Sequence, residues 1–290
     1  MKQLLLAIRN RYHPLFHLRR FRAYRTLTRL LDIPIAIRFP DVPHRVFVSL
    51  SRNLSWVISS GALIEESERN HFARIAELGQ FDRFFDVGAN IGLYGFIFLA
   101  VRPQGTVTMF EPDPDNAALI RRTLTSSNLH SVHVREIAAS DTPGEMYFFK
   151  DDISGATGAL ASGIGSTFVE RHHRATPTRI TVKCDTLDAV AAEAGDPDLV
   201  KIDVEGAEDR VLEGAKNLIL RTKPALFFEC DIEENRVKLR DLLTRSGYVF
   251  FDFTSMKAME SLAHNNLALH SLKHRSLIDS LHYLTRSPTR

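Results

Sequence analysis

The 290-residue chain has few cysteines, little net charge and no long apolar run. Its two cysteines, Cys184 and Cys230, lie in or beside apolar runs, which predicts packed free thiols of a reducing compartment and no disulfide or metal site. A net charge of +2 is too small to indicate a nucleic-acid-binding protein. No segment reaches the ~20 apolar residues that a membrane-spanning helix needs. The 12 histidines form no cluster with metal-ligand spacing. Asp203 and Glu229 are conceivable oxygen ligands for a divalent metal, but no spacing in the sequence demands one, so none is assigned.

Residues 1–31 are rich in arginine and contain no acidic residue before Asp32. The apolar run at residues 4–8 is too short for the core of a signal peptide. The segment is expected to be helical and to pack on the catalytic domain, or to contact an anionic membrane surface or a partner protein. These features predict a cytoplasmic protein, with residues 1–31 as a potential peripheral membrane contact.

A glycine-rich turn follows the first strongly apolar strand. Residues 83–87 predict a strand with Asp86 near its end as a candidate cofactor-binding acid. Gly88-Ala89-Asn90-Ile91-Gly92 then leads into a helix over 92–101. A second strand over 106–110 ends at Glu111. Such a strand–turn–helix–strand unit lets a nucleotide approach bare backbone, and the second acid can bind both ribose hydroxyls. A tight turn without a ligand is the structural alternative.

Strands and helices continue to alternate along the chain, which predicts an α/β fold with a mostly parallel, doubly wound sheet and an antiparallel edge. The predicted division is a basic helical and strand extension (1–60), a catalytic domain (61–255) and a C-terminal strand and helix that complete it (256–290). Residues 150–175 interrupt the alternation with a small-residue stretch, which is typical of a functional loop and suggests a lid.

A second strand end, at residues 200–208, delivers two further carboxylates. Asp203 and Glu205 follow a buried strand and, two residues apart, would share a face of an extended backbone. Glu229 ends the next strand at the same sheet edge, where α/β sheets bind ligands. This pattern predicts that Asp203 accepts a proton from an attacking hydroxyl, with Glu205 or Glu229 assisting. The neighbouring Glu208 and Asp209 are interpreted as helix-capping acids.

Residues 137–141 follow the third strand, where the base of a bound nucleoside would lie. Ala138 is expected to contact the base, and Asp141 can accept a hydrogen bond from an exocyclic amine. A plain turn acid is the alternative for Asp141.

Three motifs resemble the FkbM family of S-adenosylmethionine-dependent methyltransferases. They are the sequences DVGANIG at 86–92, FEP at 110–112 and KIDVEGAE at 201–208, the last preceded by TLD at 186–188. The resemblance covers residues 65–252. It implies a Rossmann-like class I methyltransferase fold and, most often, methylation of a hydroxyl on a sugar, glycan or natural product. It also places Gly88, Ala89, Asn90 and Gly92 beside the methionine and ribose, Glu111 on the ribose, and Asp141 near adenine.

Two other classes of function stay open. An NAD-dependent oxidoreductase could use Gly88, Gly92 and Gly95 as its dinucleotide turn, although the sequence offers no Tyr-x-x-x-Lys pair. A cofactor-binding interaction module, anchored by its basic end, is the third interpretation. The apolar spacing in the last 30 residues predicts a helix that covers the sheet or mediates a homodimer.

Overall fold

The computed structural model describes residues 32–58, 65–152, 157–160 and 176–286, together with positions 26, 30 and 170. The predicted helix over 1–31 and most of the predicted lid therefore lie outside the described residues. Among the residues described, no helix combines the length and the apolar character that crossing a bilayer requires.

The described strands and helices alternate as the sequence predicts. The strands are β1 Pro34–Arg38, β2 Arg45–Ser49, β3 Arg83–Val87, β4 Thr106–Phe110, β5 Val132–Arg135, β6 Ala138–Ala139, β7 Gly144–Lys150, β8 Ala159–Leu160, β9 Thr178–Asp185, β10 Leu199–Ile202, β11 Ala225–Glu229, β12 Tyr248–Asp252, β13 Ala258–Met259 and β14 Asn265–His270. The helices are α1 Leu54–Ile58, α2 Glu66–Leu78, α3 Leu93–Val101, α4 Pro114–Ser127, α5 Leu187–Ala194, α6 Glu208–Glu213, α7 Lys216–Thr222, α8 Glu233–Arg245 and α9 Arg275–Arg286.

Among the described residues, the main sheet has eight strands in the order β13-β12-β14-β11-β10-β3-β4-β5. The strands from β11 to β5 are parallel, and β14 lies antiparallel between β11 and β12. This arrangement is the predicted Rossmann-like sheet with its antiparallel edge. The predicted domain boundaries at residues 60 and 255 stay predictions.

The central strands are buried on both faces because their side chains alternate between two apolar layers. In β3, Phe84 packs into one core cluster and Phe85 into the other. In β11, Phe227 and Phe228 divide in the same way. Near-continuous apolar runs are typical of strands covered by helices on both faces. The carboxyl ends of β3, β4, β10 and β11 therefore meet along one edge of the sheet.

A second sheet, with the order β6-β9-β7-β8, stands beside the main sheet. Strand β7 pairs antiparallel with both β9 and β8. Its apolar face packs against Val204 and Ala207, in the loop that follows β10. The residue pattern predicts strands at 145–150 and 179–183, close to β7 and β9. It does not predict that they form a separate sheet, since pairing between distant segments leaves no local signal.

The alternation of strands and helices predicts one helix over residues 207–220. This prediction is wrong, because the structure has two helices, α6 and α7, separated at Gly214. A Cβ at Gly214 would lie 2.1 Å from the carbonyl oxygen of Ser140. The backbone N–H of Asp188 also donates to the Gly214 carbonyl at 3.0 Å. The helix therefore breaks at Gly214, where the segments that contain Ser140 and Asp188 approach its backbone.

Candidate active site

The turn after β3 adopts the conformation that its residue types predict. Gly88, Asn90 and Gly92 all have positive φ, at 76°, 53° and 81°. Asparagine is one of the few residues other than glycine that tolerates this region. A Cβ at Gly88 would lie 1.9 Å from the carbonyl oxygen of Asp203, so only glycine fits where the loops after β3 and β10 touch.

Glu111, at the end of β4, is tied to this turn by backbone hydrogen bonds. The N–H of Asn90 donates to its Oε2 at 2.7 Å, and the N–H of Asp113 donates to its Oε1 at 2.9 Å. Only 5% of Glu111 is exposed. Burial raises the pKa of this carboxyl to about 8, because the hydrogen bonds only partly offset the loss of solvation.

A cavity, here called the loop cavity, opens between this turn, the end of β10 and the second sheet. Gly88, Asn90, Glu111, Ala138, Asp203 and Glu205, all predicted from the sequence, lie in its wall. The sequence did not indicate the other polar members of the wall, which are Asp113, Asn116 and Asp151. Phe148, Gly158 and Leu160 of the second sheet close the opposite side.

Three of the predicted cofactor residues shape the turn and do not line the cavity. The N–H of Ala89 donates to the Phe110 carbonyl at 3.0 Å. Gly92 caps α3. The Asp86 side chain is 1% exposed, and its Oδ2 accepts from the N–H of Gly95 at 3.1 Å. These three residues therefore stabilise the turn without lining the loop cavity.

The expected contact between Asp141 and a bound base stays a prediction. Arg210 binds the Asp141 carboxylate through two nitrogens, at 3.1 and 2.7 Å. Asp141 is absent from the residues that line the loop cavity. The ion pair lowers the pKa of Asp141, with the Arg210 hydrogen bond as its main cause. Asp151, which is 1% exposed, is the acid that the second sheet contributes to the cavity wall.

Lys201 lies between the carboxylates of Asp86, in β3, and Asp203, directly after β10. Its Nζ lies 3.0 Å from Asp203 Oδ2 and 3.9 Å from Asp86 Oδ1, and 5.0 Å from the ring centroid of Tyr94. Burial alone would lower the pKa of Lys201, but Asp203 and Asp86 reverse this and raise it. Burial also raises the pKa of Asp86 to about 6, against the lowering by Lys201. The Lys201 ammonium thus fixes the position of the Asp203 carboxylate.

A second cavity, here called the acidic cavity, lies on the other side of Asp203. Its wall is formed by Glu65, Glu68, Tyr94, Lys201, Asp203, Phe227, Glu229, His264 and Asn265. It contains four acidic side chains and one buried cation. Two aromatic rings, Tyr94 and Phe227, lie 5.8 Å apart in the same wall. Asp203 lines both cavities, so the two share this residue.

Three of the seven non-glycine residues with a left-handed backbone in the described part of the chain lie at these cavities. Glu65 and Glu205 have left-handed φ values of 51° and 55°, as Asn90 does. Each such residue costs about 1–3 kcal/mol and persists only where its surroundings enforce it, typically at functional sites. The sequence suggested that Asp203 and Glu205 share a face of an extended strand. The structure shows otherwise, because β10 ends at Ile202. The two residues reach the loop cavity through a tight turn instead.

Glu229 opens into the acidic cavity next to His264. The Nε2 of His264 lies 2.9 Å from Glu229 Oε1, and its Nδ1 lies 2.5 Å from Asp231 Oδ1. Burial raises the pKa of Glu229 to about 9, and the charges of Asp203, Glu205 and Asp231 add to the effect. No sequence signal indicated His264, which lies 35 residues along the chain from Glu229 and meets it only through the pairing of β11 with β14.

Similar proteins are found among both curated proteins and solved structures. The chain is 29% identical over 168 residues to the 2-O-methyltransferase NoeI of Sinorhizobium fredii (strain NBRC 101917 / NGR234), covering 54% of this chain and 68% of that protein. The crystal structure of Methyltransferase FkbM from Methylobacillus flagellatus KT aligns with a TM-score of 0.44 and 16% identity. That alignment covers 73% of this chain and 54% of the other, so the chain spans about half the length of that protein.

A second solved structure, human N-acetylserotonin methyltransferase in complex with SAM, aligns with a TM-score of 0.38 and 12% identity, over 73% of this chain and 53% of that one. The family model for the Methyltransferase FkbM domain matches residues 86–250, which is more than half of the chain. The match runs from the turn after β3 to the strand beyond the Glu229 carboxylate. The chain therefore belongs to the FkbM family of methyltransferases, whose cofactor is S-adenosylmethionine.

Proposed function

We propose that this methyltransferase methylates a hydroxyl group on a sugar, a glycan or another polyhydroxylated natural product. The observation that carries the proposal is the position of Asp203, which lines both the loop cavity and the acidic cavity. A cofactor in the first cavity and an acceptor in the second would meet at this side chain. The name of the relative NoeI, a 2-O-methyltransferase, supports oxygen as the methylated atom.

The loop cavity fits an adenosine-bearing cofactor. The Glu111 carboxylate is held by two backbone N–H groups and can accept hydrogen bonds from both ribose hydroxyls. Ile137, Ala138 and Leu160 offer an apolar wall for the adenine ring. When bound, S-adenosylmethionine supplies a methyl group whose bond to sulfur breaks with the electron pair remaining on sulfur.

The acidic cavity fits an acceptor with several hydroxyl groups. Ionised carboxylates only accept hydrogen bonds, and hydroxyls are donors that match them. The Tyr94 and Phe227 rings give the same cavity an apolar surface for the carbon skeleton of a sugar. The chain's main contribution to the rate is then to hold the acceptor oxygen in line with the methyl group, since proximity and orientation alone provide about 7–11 kcal/mol.

Methyl-labelled S-adenosylmethionine and a panel of methyl glycosides test this function. We expect label in a product that resists alkaline hydrolysis, as methyl ethers do and methyl esters do not. Asp203→Asn should retain cofactor binding and lose most of the turnover, whereas Glu145→Gln, on the exposed side of β7, should change neither. Label found only in amines or esters would contradict the proposal, and full turnover by Asp203→Asn would remove that residue from the reaction.

A further inference from the structure

His264 lies between two carboxylates at the rim of the acidic cavity. Its Nε2 faces Glu229 at 2.9 Å, and its Nδ1 faces Asp231 at 2.5 Å. The exposed fraction of the side chain rises along this row, from 34% at Glu229 to 51% at His264 and 67% at Asp231. The row therefore leads from the cavity wall to bulk solvent.

The backbone fixes this row in place. Glu229 pairs with Asn265 at the end of the β11–β14 ladder. The N–H of Cys230 donates to the His264 carbonyl at 2.8 Å. This hydrogen bond joins the segment that carries Glu229 and Asp231 to the segment that carries His264. Glu229 is thus placed by strand pairing, and Asp231 and His264 lie in the segments directly next to the paired strands.

The three side chains must share protons. A ring nitrogen can approach a carboxylate oxygen at these distances only when a proton lies between them. A proton therefore lies in the hydrogen bond between Nδ1 and Asp231, and Nε2 lies 2.9 Å from Glu229 Oε1, close enough to exchange a proton with it. Glu229 is the inner member of the row and lies in the wall of the acidic cavity. The charged groups that face it are Lys201, Asp203 and Glu205 from β10 and its loop, Asp231 and His264, and Glu65 and Glu68 at the start of α2.

We propose that Glu229, His264 and Asp231 form a proton relay that carries the hydroxyl proton of the acceptor from the acidic cavity to solvent. The inference rests on the proposed O-methylation and assigns to Glu229 the proton acceptance that the sequence pattern predicts for Asp203. Asp203 is the poorer acceptor because the Lys201 ammonium already occupies its Oδ2 at 3.0 Å. Asp203 then orients the acceptor, and Glu229 takes its proton.

In each step the relay takes up one proton from the acceptor and releases one proton to water. As the acceptor oxygen gains its bond to the methyl carbon, its proton passes to Glu229 Oε2. The proton on Glu229 Oε1 moves to His264 Nε2, and the proton on Nδ1 moves to Asp231, which releases it to water. Glu229 is the catalytic residue in this scheme, whereas His264 and Asp231 act through it as positioning and relay residues.

A divalent cation is the competing occupant of the same place. Glu229, Asp231 and His264 each offer a ligand atom, and these atoms lie within 4.8 Å of one another. A cation would have to displace the protons that the relay requires, because the imidazole already has a carboxylate at each nitrogen. Adding a metal ion alone therefore tests whether a cation binds at these three side chains in place of the protons.

Nitrogen-15 NMR of the histidine-labelled protein tests the relay without any acceptor. We expect neutral His264 to carry its proton on Nδ1 in the wild type and in Glu229→Gln, and on Nε2 in Asp231→Asn. His130→Gln, a change at an exposed histidine outside the cavities, serves as the matched control and as an assignment check. An Nε2–H tautomer in the wild type, or Asp231→Asn without effect, would overturn the relay. Broadening of the His264 signals by micromolar Mn²⁺ would overturn it in favour of a cation site.

Chemical rescue provides the functional readout. His264→Ala should lower methyl transfer to methyl glycosides about 10²-fold, and added imidazole should restore it, whereas imidazole should not restore Glu229→Gln. Loss without rescue would contradict a proton-carrying role for His264. S-adenosylhomocysteine affinity, measured on the same variants, should not change. If the wild type methylates no glycoside while the NMR result holds, the proposed acceptor is wrong and the proton row still stands.

Discussion

Asn90 donates its backbone N–H to the Glu111 carboxylate at 2.7 Å, which joins the turn after β3 to the end of β4. The left-handed backbone of Asn90, with φ 53°, points its N–H at the carboxylate. The same carboxylate accepts the N–H of Asp113 at 2.9 Å. Glu111 therefore faces the loop cavity in a fixed orientation before any cofactor arrives.

Replacing Glu111 should weaken cofactor binding. We expect Glu111→Ala to reduce the affinity for S-adenosylhomocysteine by about 1–3 kcal/mol, the cost of losing a hydrogen bond to a charged group. Calorimetric titration measures this change, and thermal unfolding of the same variant checks that the fold survives. The exposed Glu145→Ala is the matched control. Unchanged affinity in Glu111→Ala would disprove its assignment to the ribose.

Cofactor binding should also depend on pH and release protons. Because the pKa of Glu111 is about 8 in the free protein, most of this carboxyl is protonated at neutral pH. Ribose hydroxyls donate to the ionised form, so binding favours loss of the proton, and affinity should rise with pH until it levels off above about 8.

Calorimetry in two buffers with different ionisation enthalpies measures the number of protons released. We expect a net release near pH 7 in the wild type and a smaller one in Glu111→Gln, which has no proton to lose at this position. An affinity that falls as pH rises through this range would contradict the assigned sign.

Gly88 should tolerate no side chain. A Cβ there would meet the Asp203 carbonyl oxygen at 1.9 Å, at a φ of 76° that other residues rarely adopt. Gly88→Ala should therefore cost about 2 kcal/mol or more of the free energy of unfolding and abolish cofactor binding.

Gly144→Ala separates the two causes of that loss. Gly144 has a φ of 144°, and a Cβ added to it would have no atom within 4 Å, so alanine there adds backbone strain without a clash. We expect a cost of roughly 1 kcal/mol and normal cofactor binding. Chemical denaturation measures both variants. Equal losses would show that the contact with Asp203 does not matter.

Lys201 should be essential for stability because it compensates two carboxylates. Lys201→Met leaves the buried Asp86 without its cation, and breaking such a pair typically costs about 3–5 kcal/mol. Adding Asp86→Asn to this variant should recover part of the loss, which a double-mutant cycle measures. Lys183→Met, at an exposed position of β9, is the control. A neutral effect of Lys201→Met would show that the ion pair contributes nothing.

The main sheet was predictable because its signals are local. The apolar runs of β3, β4, β10 and β11 end in acids or glycines, and the turn residues Gly88 and Asn90 have the backbone conformations that their types allow. Both cysteines are free and buried, as the sequence predicts. The family motifs also lie within single strand–turn–helix units, where residue spacing determines geometry.

The composition of the site was less predictable because it depends on pairing between distant segments. Asp151 enters the loop cavity through the second sheet, and His264 reaches Glu229 through β14. Nor did the sequence show that Arg210 binds Asp141 from 69 residues away. In each case the partner is chosen by tertiary packing, for which a single sequence carries no periodic signal.

Calorimetric titration of the protein with S-adenosylhomocysteine, with NADH titrated in parallel, tests the cofactor site most directly. We expect micromolar binding of S-adenosylhomocysteine, no binding of NADH, and loss of the first signal in Gly88→Ala. Binding of NADH alone would contradict the methyltransferase assignment, and would reassign the turn after β3 and Glu111 to a dinucleotide.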